Sequence, residues 1–165
     1  MSKRTTNEMV REFHERFSHP VRTEEMSLAS MAPERVLLRY GLIMEEFTEL
    51  TEALFGREAA HELEKAYGNM HDDHYIDEPA DWALDDVEVA DALGDMDYVI
   101  NGFAHEAGVP HDKVVEEIHD SNMSKMGADG KPVLRADGKI LKGPGYFRPD
   151  IARVLQEETN ESTVS

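Results

Sequence analysis

The sequence predicts an all-α protein: a helical bundle of about four or five helices with a C-terminal hairpin or loop arm. Three observations carry this. Apolar residues recur at steps of three and four through two long segments. Gly and Pro punctuate the ends of those segments. Turn signals of hairpin type gather only near the C-terminus.

Met9, Val10, Phe13 and Phe17 define a first helix over 6–17, stopped at Ser18-His19-Pro20 because proline restricts the residue before it. A polar loop runs to Met31, and Pro33 suits a first helical position. Val36, Tyr40, Ile43, Phe47, Leu50 and Leu54 form the inward stripe of a long helix ending at Gly56. In 57–81 the spacing allows a short helix from Glu58 to Tyr67, ended by Gly68-Asn69, and HDDHYIDEPAD reads as a loop. A second long helix is expected from Trp82 to Ala107, with Val89, Leu93, Met96, Ile100 and Phe103 inward. Pro110 opens a further helix to Asn122. Gly127–Gly130 and Ala136–Gly138 mark turns around KPVLR and KILK, and Pro149 starts a last helix through Leu155. Residues 1–155 are expected to form one domain, with a basic arm over 125–150 and a disordered tail over 156–165.

The chain has 165 residues, 17 Lys+Arg against 35 Asp+Glu, and a formal charge of −18. At 40% hydrophobic residues it is too apolar for a wholly disordered acidic chain. The absence of cysteine excludes disulfides, Cys-zinc sites and thiol nucleophiles. No apolar run has the length of a signal-peptide core or a membrane span, so a soluble, cytoplasmic protein is expected. The acidity argues against nucleic-acid and membrane partners, and against a nucleotide unless a divalent metal lies between carboxylates and phosphates.

Glu45-Glu46-x-x-Glu49 places three acids at spacings that share one helix face, where like charges repel mildly. A hard cation such as Mg²⁺ or Mn²⁺ reverses that cost by taking several carboxylate oxygens. Glu88, Asp91 and Asp95 form one stripe of the second long helix, flanked by Ala92 and Val99 on one side and Val87, Gly94 and Tyr98 on the other. That setting points these acids at a neighbouring helix, where unpaired carboxylates are costly. A solvated acidic face has the same spacing, but two such sets on separate helices favour a shared metal.

The pair Glu45-Glu46-Phe-Thr-Glu49 and Glu88-Val-Ala-Asp91 resembles the EExxE and ExxD motifs of the all-α nucleoside triphosphate pyrophosphohydrolases. These include MazG-like enzymes, dimeric dUTPases and phosphoribosyl-ATP pyrophosphohydrolases. The 38 residues between Glu49 and Glu88 depart from the family's shorter gap, and 57–81 looks like an insertion that absorbs them. VREFHERF, ADALGDMDYVINGFAHEAG and SNMSKMGADGKPVLRADGKILKGPGYFRPD are similar to the short phage and bacterial branch, MazZ-type enzymes included, over residues 8–152. The resemblance implies a Mg²⁺- or Mn²⁺-dependent hydrolase with two or three metals per site. It acts on a (d)NTP at the α-phosphorus and releases the monophosphate and diphosphate. Glu45, Glu46, Glu49, Glu88 and Asp91 are the implied ligands, with Asp95 an outer ligand or a support. Glu46 is assigned as general base. A homodimer or homotetramer with sites across the subunit interface is implied, and dGTP and dUTP are the leading substrates.

Lys125, Lys131, Arg135, Lys139, Lys142 and Arg148 fall within 24 residues. They either balance the acidic bundle or hold phosphate oxygens. Asn122 and Lys125, at i and i+3, are the foremost phosphate candidates, with Lys139, Lys142 and Arg148 beside them. Lys125 is assigned a catalytic role in offsetting charge on the departing diphosphate. His14, with Phe13 and Phe17, could line a base pocket or pack the core. Asn101 could read a base or be satisfied by a neighbour. His61, His71-Asp72 and a later Asp weakly match the metal set of HD-domain phosphohydrolases. The reading from another class is a non-catalytic acidic interaction protein or DNA mimic, whose carboxylates spread over an outer surface.

Overall fold

Thr5 and Glu8 close the first helix on themselves. The Thr5 hydroxyl accepts from the Glu8 N–H (3.2 Å), and the Glu8 carboxylate accepts from the Thr5 N–H (2.7 Å). The Thr5 N–H and the Thr5 hydroxyl, which also donates to that carboxylate (3.0 Å), hold the Glu8 carboxyl below the ordinary carboxylate range. A depressed pKa of this kind stabilises above the unfolded value and is lost as pH falls through the folded one. The computed structural model describes residues 4–22, 27–135 and 140–163. It contains α1 (Thr6–Arg16), α2 (Pro33–Phe55), α3 (Arg57–Asp72), α4 (Asp86–Ala107), α5 (His111–Met123) and α6 (Ile151–Thr163). Among the described residues the only extended pairing is two isolated antiparallel bridges, Met126 with Pro132 and Leu134 with Ile140. The all-α expectation therefore holds, and the helix count rises to six.

The chain forms two compact units, Glu25–Asp91 in one and the segments Met1–Glu24 and Ala92–Ser165 in the other. In the 25–91 unit, α3 packs along α2 after a reversal at Gly56. The φ of +91° at Gly56 is one that side-chain-bearing residues rarely adopt. Gly68-Asn69 does not end α3 as expected, because the Tyr67 ring is anchored from three sides. It meets Tyr40 (5.9 Å between centroids) and the edge of His71 (5.1 Å), and its hydroxyl lies over Gly41. Burial, then Tyr40 and Asp77, raise the Tyr67 pKa above the ordinary tyrosine value. The helix expected from Trp82 begins at Asp86 instead. Asp85 decides this: its carboxylate accepts from the Val87 N–H (3.0 Å) and the Glu88 N–H (3.1 Å), an N-cap. Trp82 lies outside the helix and donates its indole N–H to the Ile76 carbonyl.

In the other unit, α1 packs on α5 and α5 on α6. Phe17, 1% exposed, stacks on Phe13 at 4.3 Å, so core packing explains Phe17. Buried His119 faces Glu12 and Arg4 of the first segment at 3.5 Å each. Helix α6 runs to Thr163, past the Leu155 end expected from the sequence. Arg153 pairs with Glu157 (3.0 Å) within α6 and with Glu117 of α5 (2.6 Å), and Lys113 of α5 pairs with Glu158 (2.6 Å), so α6 is tied to α5 as far as Glu158.

Candidate active site

Helix α2 presents three faces, and they have different surroundings. One packs on α3. A second carries Tyr40, Ile43, Phe47, Leu50 and Leu54, the stripe expected to face inward, and each of these is exposed, Phe47 at 53%. The third carries Glu45, Glu46 and Glu49, all exposed. At 100° per residue, Glu46 lies about 70° round from the centre of the uncovered stripe and the other two acids lie further away.

Helix α4 departs from expectation in the same way. Leu93, Ile100 and Phe103 of its supposed inward stripe are about half exposed, and Val89 and Met96 are partly covered. Val87, Tyr98 and Val99 beside the acids are more exposed still, Tyr98 at 80%. Glu88, Asp91 and Asp95 are likewise exposed. The sequence pattern correctly marks a face that water should leave, but its cover does not come from the described residues.

As donors, these groups fit a hard cation: all are carboxylates, and the chain has no sulfur ligand from cysteine. Among the described residues no group of three or more His, Asp or Glu stands close enough to hold a metal ion. The HD-type metal set is not assembled among the described residues. His61 and His71-Asp72 lie on helix α3, and the His71 ring hydrogen-bonds to the Asp77 carboxylate at 2.7 Å.

The phosphate candidates are partly assembled. Lys125 donates its ammonium to the Asn122 side-chain oxygen at 2.7 Å, at the carboxyl end of α5, where a cation offsets the helix dipole. Lys142 stands over the Tyr146 ring, 4.6 Å from its centroid, and Arg148 is exposed. Lys139 lies outside the described residues. His14 is tied to the loop that follows its helix, its Nδ1–H donating to the Pro20 carbonyl at 2.9 Å. The Asn101 amide donates to the Asp97 carbonyl at 2.8 Å, which is the satisfied-neighbour alternative.

Three residues at the arm escaped the sequence reading: Ser121, Ser124 and Gly143. Nothing in composition or periodicity signals them, because their partners lie 18 to 26 residues away along the chain.

Comparison with known proteins agrees with this architecture. Residues 10–122, more than half of the chain and including both acid-bearing segments, match the phosphoribosyl-ATP pyrophosphohydrolase family model. No curated protein matches. A crystal structure from Exiguobacterium sp. 255-15, of a protein provisionally named an NTP pyrophosphohydrolase, superposes with a TM-score of 0.70 at 22% identity. The match covers 98% of this chain and 99% of that one. The chain belongs to the phosphoribosyl-ATP pyrophosphohydrolase family, within the MazG-like all-α NTP pyrophosphohydrolases, and is a pyrophosphohydrolase.

Proposed function

We propose that the chain hydrolyses a deoxynucleoside triphosphate between its α- and β-phosphates, giving the monophosphate and diphosphate, with dGTP and dUTP the leading substrates. One observation carries the reading. The family match spans both carboxylate sets, and both stand exposed, Glu46 nearest the uncovered stripe of α2 and the α4 acids beside Val87, Tyr98 and Val99. Glu45, Glu46, Glu49, Glu88 and Asp91, with Asp95 outermost, would hold Mg²⁺ or Mn²⁺, two or three per site. Such cations supply charge neutralisation and a bound water of lowered pKa. Glu46 accepts the proton of the attacking water as it approaches the α-phosphorus. Asn122 and Lys125, with Lys139, Lys142 and Arg148, meet phosphate oxygens beyond the α-position. His14 and Asn101 are the base-side candidates, with Asn101 the weaker because its amide already has a partner. Among the described residues no helix is long and apolar enough to cross a membrane. The acidic composition supports the absence of a nucleic-acid partner.

The deciding measurement is a screen of canonical NTPs and dNTPs with Mg²⁺ and with Mn²⁺, reading monophosphate and diphosphate. In ¹⁸O-labelled water the label is expected in the monophosphate, because attack is placed at the α-phosphorus. Label recovered mainly in the diphosphate would move the attack to the β-phosphorus and remove Glu46 from its role.

The uncovered stripes of α2 and α4 support a homodimer or homotetramer in which a second copy covers them and completes the site. Exposed apolar faces of this extent mark association surfaces. Phe47→Asp, on the most exposed member of the α2 stripe, is expected to give a monomer in sedimentation velocity, with turnover lost. A wild-type chain that sediments as a monomer while turning over at full rate would reject the shared site.

A further inference from the structure

The arm does not hang from α5 but is laced back along it. Gly143 donates its N–H to the Lys125 carbonyl (3.1 Å), and a Cβ there would collide with the Met126 carbonyl. Four residues on, two serines of the last turns of α5 take both polar groups of the Phe147 backbone. Ser121, 3% exposed, donates its hydroxyl to the Phe147 carbonyl at 2.8 Å. Ser124 accepts from the Phe147 N–H at 3.1 Å and donates to the Ser121 carbonyl at 2.7 Å. Further back, the Asp150 N–H donates to the Glu117 carboxylate at 2.8 Å. The contacts pair 143 with 125, 147 with 121 and 124, and 150 with 117, so the segment runs antiparallel to the helix.

The lacing grips backbone rather than side chains. The Phe147 ring is nearly half exposed, so its burial does not set the register. Both polar groups of the Phe147 peptide are bonded to serine side chains, and Ser121, which takes the carbonyl, is buried. Two of the three ties have a basic neighbour in sequence: Lys142 precedes Gly143, and Arg148 follows Phe147. The side chains of both are exposed, whereas their backbone neighbours are fixed.

We propose that Ser121 and Ser124 are positioning residues for a diphosphate subsite. Their hydroxyls fix where the arm returns along α5, and so where Lys142 and Arg148 stand relative to Asn122 and Lys125. The ligand is the β,γ-diphosphate portion of the substrate. The inference rests on the arm being phosphate-binding, as proposed above, and adds the residues that hold it in register.

The test compares Ser124→Ala, Ser121→Ala and Ser124→Thr in the full chain. Inorganic diphosphate and a nucleoside monophosphate serve as competitive inhibitors of triphosphate hydrolysis. Loss of one hydroxyl is expected to weaken diphosphate inhibition about tenfold and to speed amide exchange at Phe147 by a similar factor. Monophosphate inhibition should stay within about twofold, and Ser124→Thr, which keeps the hydroxyl, should restore both readouts. If Ser121→Ala does not fold, the partly exposed Ser124 carries the test alone. Equal loss for both inhibitors would reduce the serines to a structural role and overturn the proposal. So would faster Phe147 exchange with unchanged diphosphate inhibition. Lys142→Ala and Arg148→Ala separate this failure from that of the parent reading. If they weaken diphosphate inhibition while the serine variants do not, the lacing fails and the phosphate-binding arm stands. If they too change nothing, the arm is not the subsite and both readings fall.

Discussion

Glu49→Gln and Asp91→Asn are each expected to lower kcat by roughly a thousandfold or more, about 4 kcal/mol in the barrier. Each replacement keeps the shape of the side chain and removes a charged oxygen donor. Hard cations bind oxygen donors through charge, so a neutral amide is a poor substitute. Both residues are exposed on helices whose caps lie elsewhere, at Asp85 for α4 and Gly56 for α2, so folding should survive. Without metal the variants should melt at or slightly above the wild-type temperature, because a like-charge neighbour at helical spacing is gone. With MnCl₂ the wild type should gain stability and the variants should gain less, since a ligand that binds only the native state raises its melting temperature. Steady-state rates over a metal titration, beside thermal melts, check both halves. Full activity of both variants at low Mg²⁺ would remove the two acid-bearing helices from the site.

Lys125→Ala is expected to lower kcat/KM for the triphosphate by roughly 2–4 kcal/mol, the range of a lost transition-state donor. Affinity for a nucleoside monophosphate should hardly move. The ammonium is assigned to phosphate charge beyond the α-position, and a monophosphate has none there. The 2.7 Å bond to Asn122 gives the side chain a fixed reach from the end of α5. A lysine that merely docks the arm against acidic surface makes a different pattern: altered assembly or stability, with ordinary kinetics in the folded fraction. Size-exclusion chromatography beside steady-state rates distinguishes the two. A variant with unchanged size and unchanged kcat/KM would take Lys125 out of the site.

How much of this was legible before the coordinates depends on the range of the interaction concerned. The bounds of α2 follow from Pro33 and Gly56, local signals that the structure reproduces to the residue. The start of α4 was misplaced because Trp82 looked like the first apolar residue, whereas the cap at Asp85 decides the boundary. Helix α3 was underestimated because Gly68-Asn69 is a local stop signal, and the Tyr67 contacts with α2 outweigh it. The acid motifs were visible as spacing, which is all that one helix face requires.

By itself the sequence determined the all-α class, the periodic faces, the acid sets and the concentration of cations near the C-terminus. Each of these depends on neighbours within a few turns of the chain. Only the tertiary structure decided which apolar faces one chain covers. Burial of apolar surface is non-directional, so a stripe such as Tyr40 to Leu54 announces that it needs cover without naming it. Helix α3 took an adjoining face of α2, meeting the stripe at Tyr40 through Tyr67 and leaving Ile43, Phe47, Leu50 and Leu54 exposed. The tertiary structure also decided the course of the arm. A serine hydroxyl bonds whichever peptide the chain path brings within about 3 Å, and that path places Phe147 at Ser121 and Ser124 across more than twenty intervening residues.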